Sequence, residues 1–243
     1  APDPSVHDAH HATEVRQPRR VPLPPCREAG SLETVPELIE QFHARVLAAQ
    51  GTAGGRVPLP EDGYTTWASF PFDGELTVKP IGPLAAEERP REGDDPADCH
   101  CAPGATPSPD WPVRWRDALW QIKQAPPSGS PLILILEPRE HGDLGDLSRE
   151  RAAEYGVLSV LIAQGMESLP SVGRCQIGRY GDGGAHAHVW FIARPARMPE
   201  VRGTFNILWE ELLPPMPRDV LRENADAVLG HVFAAYGGDL LDG

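Results

Sequence analysis

The chain has 243 residues and a mass of 26.4 kDa, enough for one core of ordinary size with an extension, or for two small domains. Its 22 Lys and Arg against 35 Asp and Glu give a net charge of −13, which argues against non-specific binding to nucleic acid or to an anionic membrane, since phosphate contacts need clustered positive charge. With 24 Gly and 28 Pro, long irregular segments are expected beside the regular elements.

No run approaches the roughly 18 apolar residues of a membrane span, and the first residues lack the charged and apolar regions of a signal peptide, so a soluble cytoplasmic protein is expected. Residues 1–30 carry His7, His10, His11, Arg19, Arg20 and repeated prolines without apolar periodicity, the composition of a disordered or draped tail. Thr34 to Glu37 has capping-box spacing, and Leu38, Ile39, Phe42, Val46 and Leu47 follow at helical intervals, predicting an amphipathic helix over 35–50. From Thr52 to Asp98 only short strand-like pieces occur, such as 75–78, and the charged, proline-containing stretch 87–97 reads as a linker. Three parts are therefore expected: a tail over 1–30, an extension over 31–97 with one helix, and a main domain over 98–243.

Residues 111–195 predict strands near 113–115, 118–123 and 131–136, a helix over 148–166, then strands over 174–179 and 185–193. Leu132 to Leu136 is continuously apolar, which fits a strand buried on both faces. Strands outnumber helices and follow one another as in hairpins, so the fold class is α+β with an antiparallel sheet and a helix packed on it. The segment 198–215, rich in large apolar residues, is expected to cover the site or an interface, and 218–235 to form a closing amphipathic helix through Val220, Leu221, Ala227, Val228, Val232 and Phe233. No glycine-rich phosphate loop of the Rossmann or Walker type is present.

Four cysteines do not make a disulfide scaffold in a chain of this length. Cys26 and Cys175 read as buried inert thiols, whereas Cys99 and Cys101, on either side of His100, read as metal-binding, with two buried thiols as the alternative. Over 185–192 strand alternation would put His186, His188 and Trp190 on one face. The turn before them, with Gly183 and Gly184, would let a ligand approach the backbone closely. Arg139, Arg179 and Arg194 are candidates to neutralise phosphate oxygens or are plain surface charges.

Cys99-His100-Cys101, the run Pro138 to Leu147, and His186-x-His188-x-Trp190 followed by Phe191-Ile192-Ala193-Arg194 together resemble the histidine triad (HIT) superfamily over residues 98–195. The resemblance extends to its nucleotide-transferring branch, the galactose-1-phosphate uridylyltransferases. It implies that His188 is the nucleophile attacking a nucleotide phosphate and that Trp190 replaces the third histidine; another register puts Gly184 in the first place. It further implies a structural zinc held by Cys99, Cys101, His141 and His186, with Trp190, Arg194, Gly183 and Gly184 around the substrate, and a two-fold homodimer. The cysteines stand one residue closer than is usual in the family, which leaves open whether His100 is a ligand. An indole can donate a hydrogen bond but cannot shuttle a proton, so hydrolysis and transfer both stay open. Three functions follow: a nucleotide hydrolase or nucleotidyltransferase working through a nucleotidyl-histidine, a non-catalytic protein binding a nucleotide or phosphorylated metabolite, or an enzyme using a reactive metal at the Cys/His cluster.

Overall fold

The structure, a computed structural model, describes residues 37–52, 54–56 and 64–242. The expected tail over 1–30, Cys26, and Thr34 to Pro36 of the predicted capping box lie outside these residues. Two compact units divide between Arg45 and Val46. Helix α1, Ile39–Thr52, begins later than predicted. The side chain of Gln41 takes the backbone N–H of Leu38 at 2.9 Å, one half of a capping box that sets the start at Ile39. Arg45 pairs with Glu37 at 2.8 Å and lies over the Phe42 ring.

In the second unit six strands form one antiparallel sheet in the order β4-β5-β3-β2-β1-β6. The strands are β1 Val113–Arg116, β2 Trp120–Gln124, β3 Ile133–Pro138, β4 Val172–Gly178, β5 Val189–Pro195 and β6 Asp239–Leu240. Helix α2, Arg149–Glu167, crosses from β3 to β4; α3, Asn206–Leu212, and α4, Arg218–Tyr236, follow β5. This is the α+β class expected, with the strand and helix order predicted for 111–195. Residues 75–78 form no strand. No helix among the described residues is long and apolar enough to cross a membrane.

Each sheet face buries a different set of side chains. Trp115, Ile122, Leu134, Leu136, Phe191 and Ala193 pack beneath α2 and α4, which contribute Leu158, Ile162 and Met166, and Leu221, Ala225, Val228, Leu229 and Val232. On the opposite face Ala125, Ile133, Ile135 and Ile192 form a smaller cluster with Trp111, Trp190 and Ile207. Every residue of β3 is buried, so its unbroken apolar run follows from two-sided cover. The inward stripe of α4 differs from the predicted one. The 3.6-residue period carries it through Ala225 and Leu229, leaving Val220 and Phe233 exposed and Ala227 on the outside.

The segments before β1 are fastened to this domain by specific contacts. The Trp209 indole N–H donates to the carbonyl of Ser69 at 2.8 Å, and Phe70 and Trp67 both meet Phe205 edge to face. The stretch 87–97, read from sequence as a linker, is docked. Arg91 pairs with Asp143 at 2.6 Å, and Glu92 exchanges backbone hydrogen bonds with Gly183 and Ala185 at 3.0 and 2.9 Å.

The C-terminal end closes on β1. Arg114, buried beneath it, donates to Gln124 and Asp226 at 2.6 Å each, and the Trp115 indole N–H donates to the carbonyl of Gly237 at 2.9 Å. Gly238, at φ +89°, runs so close over Trp115 that a Cβ would sit 2.7 Å from the ring. Gly238→Ala is therefore expected to cost about 2–4 kcal/mol, from a disfavoured backbone conformation plus overpacking. Gly230→Ala, in open space within α4, should be neutral or stabilising by about 0.5–1 kcal/mol. Urea unfolding of both variants checks the pair, and equal stabilities would refute the close approach.

Candidate functional site

A 3-10 turn over Pro96–Asp98, capped by the Asp95 side chain, delivers the chain into Cys99. A further turn, Ala102 N–H to Cys99 carbonyl at 2.9 Å, folds Cys101 back beside it. His141 follows the end of β3, and His186 lies in the loop entering β5. The ligand atoms of Cys99, Cys101, His141 and His186 all lie within 4.8 Å of one another. The two sulfurs are 3.2 Å apart, Cys99 Sγ is 3.6 Å from His186 Nδ1, and Cys101 Sγ is 3.6 Å from His141 Nδ1.

His186 is oriented for ligation. Its Nε2 is 2.8 Å from the carbonyl of Pro138, which can only accept, so Nε2 carries the proton and the Nδ1 lone pair faces the thiols. Burial pushes the imidazole pKa of His186 down, keeping it neutral. Burial, and then the neighbouring Cys99, push the Cys101 thiol up to about 11, so in isolation Cys101 holds its proton. Two thiols and two imidazoles converging on one point are a donor set that a metal ion completes. His100 is directed elsewhere: its Nε2 is 3.3 Å from Glu137 Oε1, while its Nδ1 is 4.0 Å from Cys99 Sγ.

His188 and Trp190 line a cavity of about 760 Å³ on the sheet face opposite α2 and α4. His188 precedes the first residue of β5, so its direction comes from a hydrogen bond as well as from strand alternation. Its Nδ1 lies 2.7 Å from the carbonyl of His186, which again can only accept. Nδ1 is thus protonated, and Nε2 has no hydrogen-bond partner among the described residues. Trp190 stands between Trp111 and Tyr180, edge to face with each, at 5.8 and 6.4 Å between ring centroids. With Ile135 and Val113, Trp111 and Trp190 give the cavity an apolar wall.

Its polar end centres on Glu137, the residue that sequence reasoning missed. A glutamate at the end of an apolar strand gives no periodic signal; only Lys123, next to the last residue of β2 and on the same face, hints at a partner. Glu137 is 2% exposed and accepts from Lys123 at 2.6 Å, from His100 and from Gln121, all on Oε1. Burial alone would push its carboxyl up, but the hydrogen bond to His100 and the charge and hydrogen bond of Lys123 outweigh it, holding the pKa down to about 2.

The remaining candidates are not all gathered there. Arg139 lines the cavity, with one guanidinium nitrogen on the carbonyl of Asp117 at 2.8 Å. Arg179 is bound to Asp143, whose carboxyl is also held by Arg91. Arg194 lies six residues along β5 from His188, about 20 Å at strand rise, and lines a different cavity with Arg174 and Arg202. The expected open turn at Gly183 and Gly184 is clipped by Glu92, which occupies the carbonyl of Gly183 and the amide of Ala185. A Cβ at Gly184 would lie 3.4 Å from the His188 ring, in ordinary van der Waals contact, so the turn lies against the histidine. Cys175 packs against the core beside Met166, 3.5 Å between sulfurs, and burial pushes its thiol up to about 12.

No family profile and no curated protein matches this chain. Among solved structures it is similar to a histidine triad protein from Marinobacter aquaeolei VT8, at 19% identity over 52% of this chain and 90% of that one, with a TM-score of 0.41. It is likewise similar to a histidine triad protein from Bradyrhizobium japonicum, at 16% identity over 51% and 91%, TM-score 0.43. A third is a Zn-bound histidine triad family protein from Mycobacterium smegmatis, at 16% identity over 51% and 88%, TM-score 0.37.

Because the native pKa of Glu137 lies below its unfolded value, its contribution to stability is complete above about pH 4.5 and is lost as pH falls toward 2. Glu137→Gln should cost about 1–3 kcal/mol at pH 7 by leaving Lys123 underpaired, and should flatten the fall in stability between pH 4.5 and 2. Urea unfolding across that range checks this, and parallel pH profiles for the two proteins would refute it.

Proposed function

We propose that the protein is a nucleotide hydrolase or nucleotidyltransferase that works through a nucleotidyl-histidine at His188. The observation that carries this reading is the His188 ring itself: Nδ1 is held 2.7 Å from the His186 carbonyl and Nε2 is without a partner among the described residues, in a residue lining a large aromatic-walled cavity. A neutral ring held this way presents its lone pair at Nε2, as a nucleophilic imidazole must. The aromatic side of Trp190 and Trp111 suits a base, and Arg139 is a cation lining the cavity that no carboxylate among the described residues neutralises.

In the first step the Nε2 lone pair forms a bond to phosphorus, and the bond from phosphorus to the leaving group breaks, its electron pair departing with that group. In the second, the oxygen of water or of an acceptor hydroxyl bonds to phosphorus, the nitrogen–phosphorus bond returns its pair to Nε2, and the oxygen's proton passes to solvent. The indole of Trp190 has no proton to transfer, so the first step favours leaving groups that depart as stable anions, such as phosphates and sugar phosphates. Nucleotide sugars and dinucleoside polyphosphates are thus preferred over amide-linked nucleotides.

Intact-mass spectrometry after non-acidic quenching should show a nucleotidyl increment on the wild type and none on His188→Ala. Turnover retained in His188→Ala would overturn the nucleophile. A binding-only role is the second reading, favoured by Trp190 and by the Lys123–Glu137 pair, which leaves little free positive charge. It requires that no donor give an adduct while a nucleotide still binds.

Cys99, Cys101, His141 and His186 are proposed to hold one zinc in a closed structural site, joining the loop before β1 to the ends of β3 and β5. Zinc fits their two-sulfur, two-nitrogen composition, supplying cross-linking rather than reactivity when no position stays open. Elemental analysis of chelator-free protein should find about one zinc per chain, and Cys99→Ser should lower both the zinc content and the thermal midpoint. Absence of bound metal would refute the site. A readily exchanged ion needed for turnover would favour a reactive metal instead.

A further inference from the structure

Six residues beyond His188, the same face of β5 carries a feature that nucleotide chemistry at His188 does not use. Arg194 on β5 is paired in register with Arg174 on β4, and both line a cavity of about 540 Å³ together with Arg202, Trp67, Ser69 and Gln176. Among the described residues no acidic side chain lines it. Among the described residues none of the three guanidinium groups pairs with a carboxylate: Arg174 donates to the carbonyl of Gly173 at 2.7 Å and Arg194 to that of Pro195 at 3.0 Å. In a chain with 35 acidic and 22 basic side chains, three uncompensated arginines around one hollow depart sharply from the average surface.

The local backbone accommodates them. Gly173 faces Arg194 so closely that a Cβ there would stand 2.2 Å from its Nη2, so the guanidinium rests on bare main chain. Trp67 is held edge to face with Phe205 at one side, and Trp209 fixes the Ser69 carbonyl, so the far wall is anchored too. β4 itself carries no acid, and Glu167, the last residue of α2, is engaged by the backbone N–H of Cys175, which it accepts at 3.1 Å.

We propose that Arg174, Arg194 and Arg202 form a binding site for a phosphate-bearing polyanion, separate from the cavity at His188. Guanidinium forks pair with phosphate oxygens two at a time, and several forks around one hollow select for an ion carrying more than one phosphate. The site reassigns Arg194: it serves an anion at the distal end of β5 and not the phosphate at His188.

The test is isothermal titration of the full chain with sodium tripolyphosphate, beside trisodium citrate as a carboxylate polyanion. Wild type should bind tripolyphosphate more tightly than citrate, with affinity falling as salt rises. Arg174→Ala/Arg202→Ala should weaken tripolyphosphate binding by at least about tenfold, each lost charged hydrogen bond being worth that much. These two side chains are exposed, so the thermal midpoint without ligand should not move, which separates loss of the site from loss of fold. Gly173→Ala, which displaces the Arg194 guanidinium, should weaken binding in a chain whose three arginines are intact. His188→Ala should bind as wild type does, so that failure of the nucleotidyl-histidine and failure of this site are read independently. No binding by wild type, binding unchanged in Arg174→Ala/Arg202→Ala, or binding lost in His188→Ala would each overturn the proposal.

Discussion

One hydrogen bond, from His186 Nε2 to the carbonyl of Pro138 at 2.8 Å, orders the centre of this molecule. Pro138 ends β3, and His186 stands just before β5, so the bond ties the exit of one strand to the entrance of its antiparallel neighbour. It fixes the tautomer of His186 and aims Nδ1 at the thiol of Cys99. The carbonyl of the same residue then accepts from His188 Nδ1 at 2.7 Å. Two imidazoles, one turned to the Cys/His cluster and one to the cavity, are thereby set by successive acceptors that cannot donate. A change at Pro138 or His186 is felt in both places, because the second histidine is oriented by the backbone of the first.

The two-sided burial of β3 explains why so much polar structure accumulates at its end. Within the strand, Leu134 and Leu136 face the helices while Ile133 and Ile135 face the opposite cluster. Where cover on the second face gives way to the cavity, the next outward position is Glu137. A carboxylate there is tolerated only with compensation, and Lys123, His100 and Gln121 supply it on a single oxygen. The arrangement leaves Oε2 of a buried acid beside the ligand space, and it consumes the ammonium that would otherwise be the strongest local attraction for phosphate.

How far the sequence spoke for itself depended on the range of the interaction concerned. The apolar run of β3, the helix over 148–166 and the strand order over 111–195 are local patterns, and the structure reproduces them. The convergence of Cys99, Cys101, His141 and His186 was legible because motif spacing could be read beside a family pattern; nothing in their separate neighbourhoods specifies it. The docking of Arg91 and Glu92 was not legible, since a charged, proline-containing stretch looks like a linker unless its partners Asp143 and Gly183 are known. Arg194 followed the motif in sequence, yet a motif counts residues whereas a strand converts each into about 3.3 Å, and six of them carry it out of reach of the cavity.

That same strand geometry separates two electrostatic regimes on one face. Near His188, Lys123 is neutralised by Glu137, Arg179 by Asp143, and one nitrogen of Arg139 is engaged by a main-chain carbonyl. A ligand held there must draw on aromatic contact and on a few directed polar groups, because unspent positive charge is scarce. At the far end Arg174, Arg194 and Arg202 face no carboxylate among the described residues, in a chain of net charge −13. Such a cluster repels itself unless water, salt or a bound anion screens it, and Gly173 lets one of its members lie flat on the backbone rather than turn away. The balance of charge therefore assigns discrimination by shape and stacking to the histidine end of β5, and discrimination by charge to its arginine end.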